Sequence, residues 1–120
     1  MNIESIRIYC LSKKGTTEGF PFDETTLVFK VMNKMYALAN LEGDLTVNLK
    51  CDPETAISLR EEYPFIVPGY HMNKAHWNTI YIDDSVPDQF VKHWIDHSYE
   101  LIVRSLSKKI QQELKDLPEN

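Results

Sequence analysis

The run Leu27-Val28-Phe29-Lys30-Val31-Met32-Asn33-Lys34-Met35-Tyr36-Ala37-Leu38-Ala39-Asn40-Leu41-Glu42-Gly43-Asp44-Leu45-Thr46-Val47-Asn48-Leu49-Lys50 is the stretch on which the fold turns. Apolar side chains alternate within it: Leu27, Phe29 and Val31 share one side, then Met35, Ala37, Ala39 and Leu41, then Leu45, Val47 and Leu49. A period of two is the signature of a strand with one buried face. Asn33-Lys34 and Glu42-Gly43-Asp44 separate the three runs, and links this short join only antiparallel neighbours. The stretch therefore predicts a three-stranded meander with one apolar face and an opposite face bearing Lys30, Thr46, Asn48 and Lys50.

Helical spacing flanks the meander. Ile3, Ile6, Tyr9 and Cys10 recur behind Asn2, a candidate N-cap, and the pattern stops at Lys13-Lys14-Gly15. Gly15 to Glu24 reads as an irregular loop whose Phe20 and Phe22 fold back onto the core. Downstream, Asp52-Pro53-Glu54 is a strong helix start: Asp caps free N–H groups, Pro at the first helical position loses nothing, and Glu54 suits the positive end of the dipole. That helix runs to about Tyr63. Pro64 and Pro68-Gly69 then impose an extended connection, and Trp77 to Ile82 alternates as another strand. Ser85 with Asp88 three residues on forms a variant capping box. It opens a long helix with Phe90, Val91, Trp94, Ile95, Ser98, Leu101, Ile102 and Ser105 on its inner side. Ser107 caps a short final helix containing Ile110 and Leu114, and residues 118–120 are a frayed tail. The order implies a single two-layer α+β domain over residues 1–120, an antiparallel sheet covered by helices.

The composition sets the outer bounds. A chain of 120 residues with 42% hydrophobic side chains builds its own core without staples. No apolar run approaches the ~20 residues that span a bilayer, and the N-terminus lacks the pattern of a secretory signal, so the expected location is the cytoplasm. Cys10 and Cys51 sit in apolar-periodic contexts without metal-ligand or redox spacing and read as buried, reduced thiols.

The segment Gly69-Tyr70-His71-Met72-Asn73-Lys74-Ala75-His76-Trp77-Asn78-Thr79-Ile80-Tyr81-Ile82-Asp83 is the chemically richest, and no Asp or Glu occurs from Tyr63 to Ile82. It has two readings. As a contact surface, Trp77 offers an indole for stacking, His71, His76 and Lys74 meet anionic groups, and Asn73 gives directional hydrogen bonds. As a structural clasp, Trp77 fills the core edge while His71, Asn73 and His76 satisfy backbone groups of an irregular loop. His71 and His76 are five apart and no His-Glu-x-x-His motif is present; His93 and His97, four apart, lack a third ligand, so no metal or other cofactor is expected. Asp83-Asp84 with Asp88 is explained by a turn before a helix, and neither cysteine has an electropositive niche. No catalytic constellation emerges, and a non-enzymatic binding role is expected.

The order of segments, the run His71 to Asp83, the downstream Pro87-Asp88 and the group Asp96, Ser98 and Tyr99 resemble the YjbR/MmcQ family of small bacterial proteins over nearly the whole chain. The resemblance implies a secretion-chaperone-like or frataxin-like α+β fold and a double-wing motif assigned to DNA binding. It implies no catalytic residues. On that reading the contacting residues are Lys30, Lys34, His71, Asn73, Lys74, His76 and Trp77, with Arg104, Lys108 and Lys109 as a second cationic group.

Charge bears on this. Nucleic-acid modules normally present a basic footprint, whereas this chain has 13 basic residues against 18 acidic ones and a net charge of −5. Two local segments run against the total: residues 25–41 hold no acid, and Arg104, Lys108, Lys109 and Lys115 outnumber Glu113 and Asp116. The rival reading is a protein or peptide partner, met by strand addition or on a sheet face, with the chain a monomer or homodimer and no membrane involved. DNA binding predicts that Lys30, Lys34 and Lys74, or Arg104, Lys108 and Lys109, converge on one face; protein binding predicts an exposed apolar patch.

Overall fold

The computed structural model describes residues 1–69 and 72–119. The elements follow in the order α1 (Ile3–Leu11), β1 (Thr16–Gly19), β2 (Thr26–Val31), β3 (Lys34–Asn40), β4 (Thr46–Lys50), α2 (Pro53–Glu62), β5 (Ile66–Pro68), β6 (Trp77–Tyr81), α3 (Asp88–Ser105) and α4 (Lys108–Asp116). The strands form one antiparallel sheet in the order β1-β2-β3-β4-β6-β5. α3 packs across β3 and β4, and α2 lies against β5 and β6. This is the expected α+β domain. No helix among the described residues is long and apolar enough to cross a membrane.

The sheet has two strands more than the alternation reveals. The segment expected to be wholly irregular contains β1, an edge strand of Thr-Thr-Glu-Gly with no apolar residue to mark a period. β5 is three residues long and ends at Pro68, as suits the other edge, where a residue without an N–H does not break a ladder. Phe20 and Phe22 do not fold back: they are 49% and 64% exposed, because the chain leaves β1 at the rim of the sheet.

Helix starts are read correctly at three of four sites. Asn2 caps α1 in a reciprocal box with Ser5, Asp52 caps α2 with Pro53 behind it, and Ser107 caps α4. At α3 the expected Ser85/Asp88 box is absent. Asp83 accepts the Ser85 N–H and hydroxyl in its own turn, and Pro87 begins the helix without a side-chain cap. Val91, Ile95, Ser98 and Ile102 are buried on the inner side, whereas Ser105 is exposed.

The meander departs from strict alternation at two points. The β2–β3 turn is Met32-Asn33, both with positive φ, and Lys34 already pairs with Val31. A two-residue turn of that hand matches the twist of the flanking strands. The pairing then steps from Lys30↔Met35 to Phe29↔Ala37, so Tyr36 is the extra residue of a β-bulge. Met35 therefore faces away from Ala37 and Ala39. It packs with Val28, Leu38 and Trp77 on the side without helices, while Tyr36 turns inward and is fully buried. Leu41, expected on the buried side, is exposed beyond the end of β3.

The bulge leaves a C=O on Tyr36 and an N–H on Lys50 outside the ladder, and α3 supplies the missing partner. The Ser98 hydroxyl, completely buried, donates to the Tyr36 C=O at 2.5 Å and accepts from the Lys50 N–H at 2.9 Å. The Tyr36 hydroxyl in turn donates to the Cys10 C=O at 3.1 Å, lies 2.9 Å from Thr16 Oγ1, and the ring meets Tyr99 edge-on. One bulged residue thus ties the sheet to α1, β1 and α3, since buried backbone groups must find partners.

A candidate binding face on the open side of the sheet

The helices cover one face of the sheet and leave the other uncovered. On the covered face Leu27, Ala39, Val47, Ile80 and Ile66 form one transverse row and Phe29, Ala37, Leu49 and Asn78 the next. The open face has three rows. Thr26, Asn40, Thr46 and Tyr81 stand opposite one another at one end; Val28, Leu38, Asn48 and Thr79 cross the middle; Lys30, Met35, Lys50 and Trp77 lie at the other end. The predicted polar side of Lys30, Thr46, Asn48 and Lys50 is thus present, with Val28 and Leu38 set among the polar groups as a mixed floor.

That floor is concave. A cleft of about 720 Å³ lies over it, bounded below by Leu38, Asn40, Thr46, Asn48 and Thr79 and walled by Phe22 and Asp23 on one side and by Met35, Met72 and Tyr81 on the others. A volume of several hundred Å³ with apolar lining and a few polar groups is the usual form of a ligand site. The polar groups are held in place. Thr79 Oγ1 donates to Asn48 Oδ1, and the Asn40 amide donates to the C=O groups of Glu42 and Asp44, fixing the β3–β4 turn at the rim. Asp23 accepts the N–H groups of Thr25 and Thr26 at 2.9 and 2.7 Å. Those backbone hydrogen bonds, the Thr25 N–H first, hold its carboxyl below the usual Asp range, so the wall is anionic at neutral pH.

The two cationic groups expected from the sequence lie apart, with Lys30, Lys34 and Lys74 at one end of the sheet. Lys30 lies on the open face, Lys34 is exposed at the hairpin end, and Asn73, Lys74 and His76 are exposed in the loop before β6, at the same end of the sheet. Arg104 ends α3 and Lys108 and Lys109 begin α4, all exposed but within the helical layer on the other side. Trp77 is only 9% exposed and packs on Val28 and Leu38, which is the clasp reading of that residue. The loop around it is tied by hydrogen bonds: the Gly69 N–H donates to the Trp77 C=O, the His76 N–H donates to the Asn73 C=O, and Asn73 Oδ1 accepts from the Ala75 N–H. His71 lies outside the described residues.

Other candidate chemistry resolves into structure. Both cysteines are free and buried, and burial pushes the thiols up to about 12 for Cys10 and about 11 for Cys51, so both are protonated at neutral pH. His97 Nε2 accepts the Asp52 N–H at 3.3 Å beside the α2 N-cap, and burial, followed by the nearby His93, lowers its pKa. Among the described residues no three His, Cys, Asp or Glu side chains gather as metal ligands. Phe22, Met72 and the cleft itself were missed by sequence reading. Their only signal was the pair of Phe residues in a Gly/Pro-rich loop, expected instead to fold back onto the core, and a Met within the His/Trp run.

The YjbR family model matches residues 11–101. The chain belongs to the YjbR family. It is 33% identical over 118 residues to the uncharacterized protein YjbR of Escherichia coli strain K12, covering 98% of this chain and 100% of that one. It is 35% identical over 114 residues to the uncharacterized protein YyaQ of Bacillus subtilis strain 168, covering 82% and 95%. The crystal structure of Deinococcus radiodurans protein DR2400, of the DUF419 family-model domain, superposes with a TM-score of 0.89 at 39% identity over 99% of this chain and 91% of that one. A Pseudomonas syringae crystal structure superposes with a TM-score of 0.74 at 28% identity, over 84% and 98%. The YjbR match contains β1 to β6 and the Ser98 bridge, and ends before Arg104, Lys108 and Lys109.

Proposed function

We propose that this YjbR-family protein is a binding protein that holds an extended polypeptide segment in the cleft on the open face of its sheet. The observation behind it is the uncovered floor: Leu38, Met35, Met72, Phe22 and Tyr81 line one concavity together with the amides and hydroxyls of Asn48, Thr46 and Thr79. Apolar seats beside hydrogen-bonding groups suit a peptide, which presents side chains and backbone together. Two methionines in the wall adapt to side chains of different shape. The buried, unpaired thiols fit a reducing compartment, in keeping with a cytoplasmic location.

Nucleic-acid binding is the second reading, favoured by the end of the open face where Lys30, Met35, Lys50 and Trp77 share one row, with Lys34, Lys74 and His76 nearby. It ranks below the peptide because Asp23 and Asp44 wall the cleft and Arg104, Lys108 and Lys109 attach to the opposite side. The test has two arms. A displayed library of random ten-residue peptides is panned on the protein and on Asn48→Trp, whose indole fills the floor. Labelled duplex and single-stranded DNA are titrated at two salt concentrations. Peptides lost on Asn48→Trp support the first reading. Salt-sensitive DNA binding, abolished by Lys30→Glu/Lys34→Glu and unaffected by Asn48→Trp, replaces it with the second.

A further inference from the structure

We infer that the occupant of this cleft is a dipolar segment, cationic at one end, apolar in the middle and anionic at the other. This rests on the peptide reading above and adds the chemistry of the partner. The strand register sorts the charges of the open side by end. β2 and β4 finish, and β3 and β6 begin, at the end that bears Lys30, Lys34, Lys50 and Lys74. At the opposite end Asp23 and Asp44 enter the cleft wall, with Glu24, Glu42, Asp83 and Asp84 exposed in the adjoining loops.

The separation of the two ends sets the length of the occupant. Met35 and Asn40 mark the ends of the floor on β3, five residues apart, or roughly 17 Å at strand rise. An extended segment of about six residues spans it. Its Lys or Arg side chains, or its free amino end, face Asp23 and Asp44; its Asp or Glu side chains, or its free carboxylate, face Lys30 and Lys50. Complementary charge at both ends fixes the direction in which the segment lies and rejects segments that are basic or acidic throughout.

The experiment uses the full chain and the same random ten-residue library, read by sequencing the binders that are lost on Asn48→Trp. The expected binders carry opposite charges at the two ends of an apolar centre. Panning on Lys30→Glu/Lys50→Glu then enriches peptides basic at both ends, and panning on Asp44→Lys/Glu42→Lys enriches peptides acidic at both ends. Asp23 is left in place because its carboxylate holds the Thr25-Thr26 turn. A synthetic dipolar binder loses affinity on the order of tenfold on either charge-reversed protein at low salt. Floor-dependent binders without charge polarity, or with a polarity that the reversals leave unchanged, overturn the inference while the peptide reading stands. The absence of any floor-dependent binder removes both.

Discussion

Replacing Ser98 by Ala tests whether one hydroxyl joins the helical layer to the bulged sheet. Ser98 is completely buried, and its Oγ is bonded to the Tyr36 C=O and the Lys50 N–H. Alanine keeps the helix and the packing volume but leaves a buried acceptor and a buried donor without a partner. Each such group costs about 1–3 kcal/mol, and the better helix propensity of Ala returns about 0.5 kcal/mol, so a net loss of roughly 2–5 kcal/mol is expected. That is a large share of the ~5–15 kcal/mol by which a domain of this size is stable. Urea unfolding followed by circular dichroism measures it, with Ser105→Ala as the control. Ser105 lies on the same helix but is exposed and bonds only the C=O of Ile102 one turn back. An unfolding free energy for Ser98→Ala that falls within about 0.5 kcal/mol of the control refutes the bridge as a structural tie.

Four further outcomes follow from the geometry. Tyr36→Phe removes bonds to the Cys10 C=O and Thr16 and lowers stability by about 1–2 kcal/mol in the same assay, with the m-value unchanged. Gly69→Ala puts a methyl 2.7 Å from Trp77 Cβ and 3.0 Å from its C=O; the loop must shift, seen as altered Trp fluorescence and faster exchange of the β6 amides. Phe22→Ser leaves the unfolding free energy within about 0.5 kcal/mol, since the ring is 64% exposed, but weakens the binding of peptides selected on the cleft several-fold. For His97 the folded pKa lies below the ordinary 6.5, so the unfolded chain takes up more protons as pH falls, and stability declines below about pH 6.5. His97→Gln flattens that limb and leaves the separate loss near pH 4, from the lowered carboxyls of Asp23, Asp83 and Glu18, in place.

Sequence and structure agree where local chemistry is decisive. Asn2, Asp52-Pro53 and Ser107 mark helix starts because a cap acts within four residues, and Gly43 marks its turn because φ is positive there. Val47, Leu49, Asn48 and Lys50 alternate as read because β4 is regular and central. The failures share a different cause. β1 and β5 are edge strands, defined by a neighbour on one side only and free of apolar periodicity. Met35 changes sides because of a bulge, and only the pairing of β3 with β2 shows that Tyr36 is the extra residue.

The candidate site divides along the same line. Residue types made the run before β6 and the scattered lysines conspicuous, and the alternation of the meander foretold an open polar side. By itself, then, the sequence determined the α+β class, the capped helices, the buried thiols and the family, because each rests on interactions between residues close along the chain or on the chain as a string. The tertiary structure alone decided that Ser98 meets the bulge across 62 residues, that Arg104 and Lys108 stand on the side away from Lys30, and that Phe22, Met35, Leu38 and Met72 wall one cleft. Those facts depend on strand register, where a single extra residue reverses the side on which every later side chain falls.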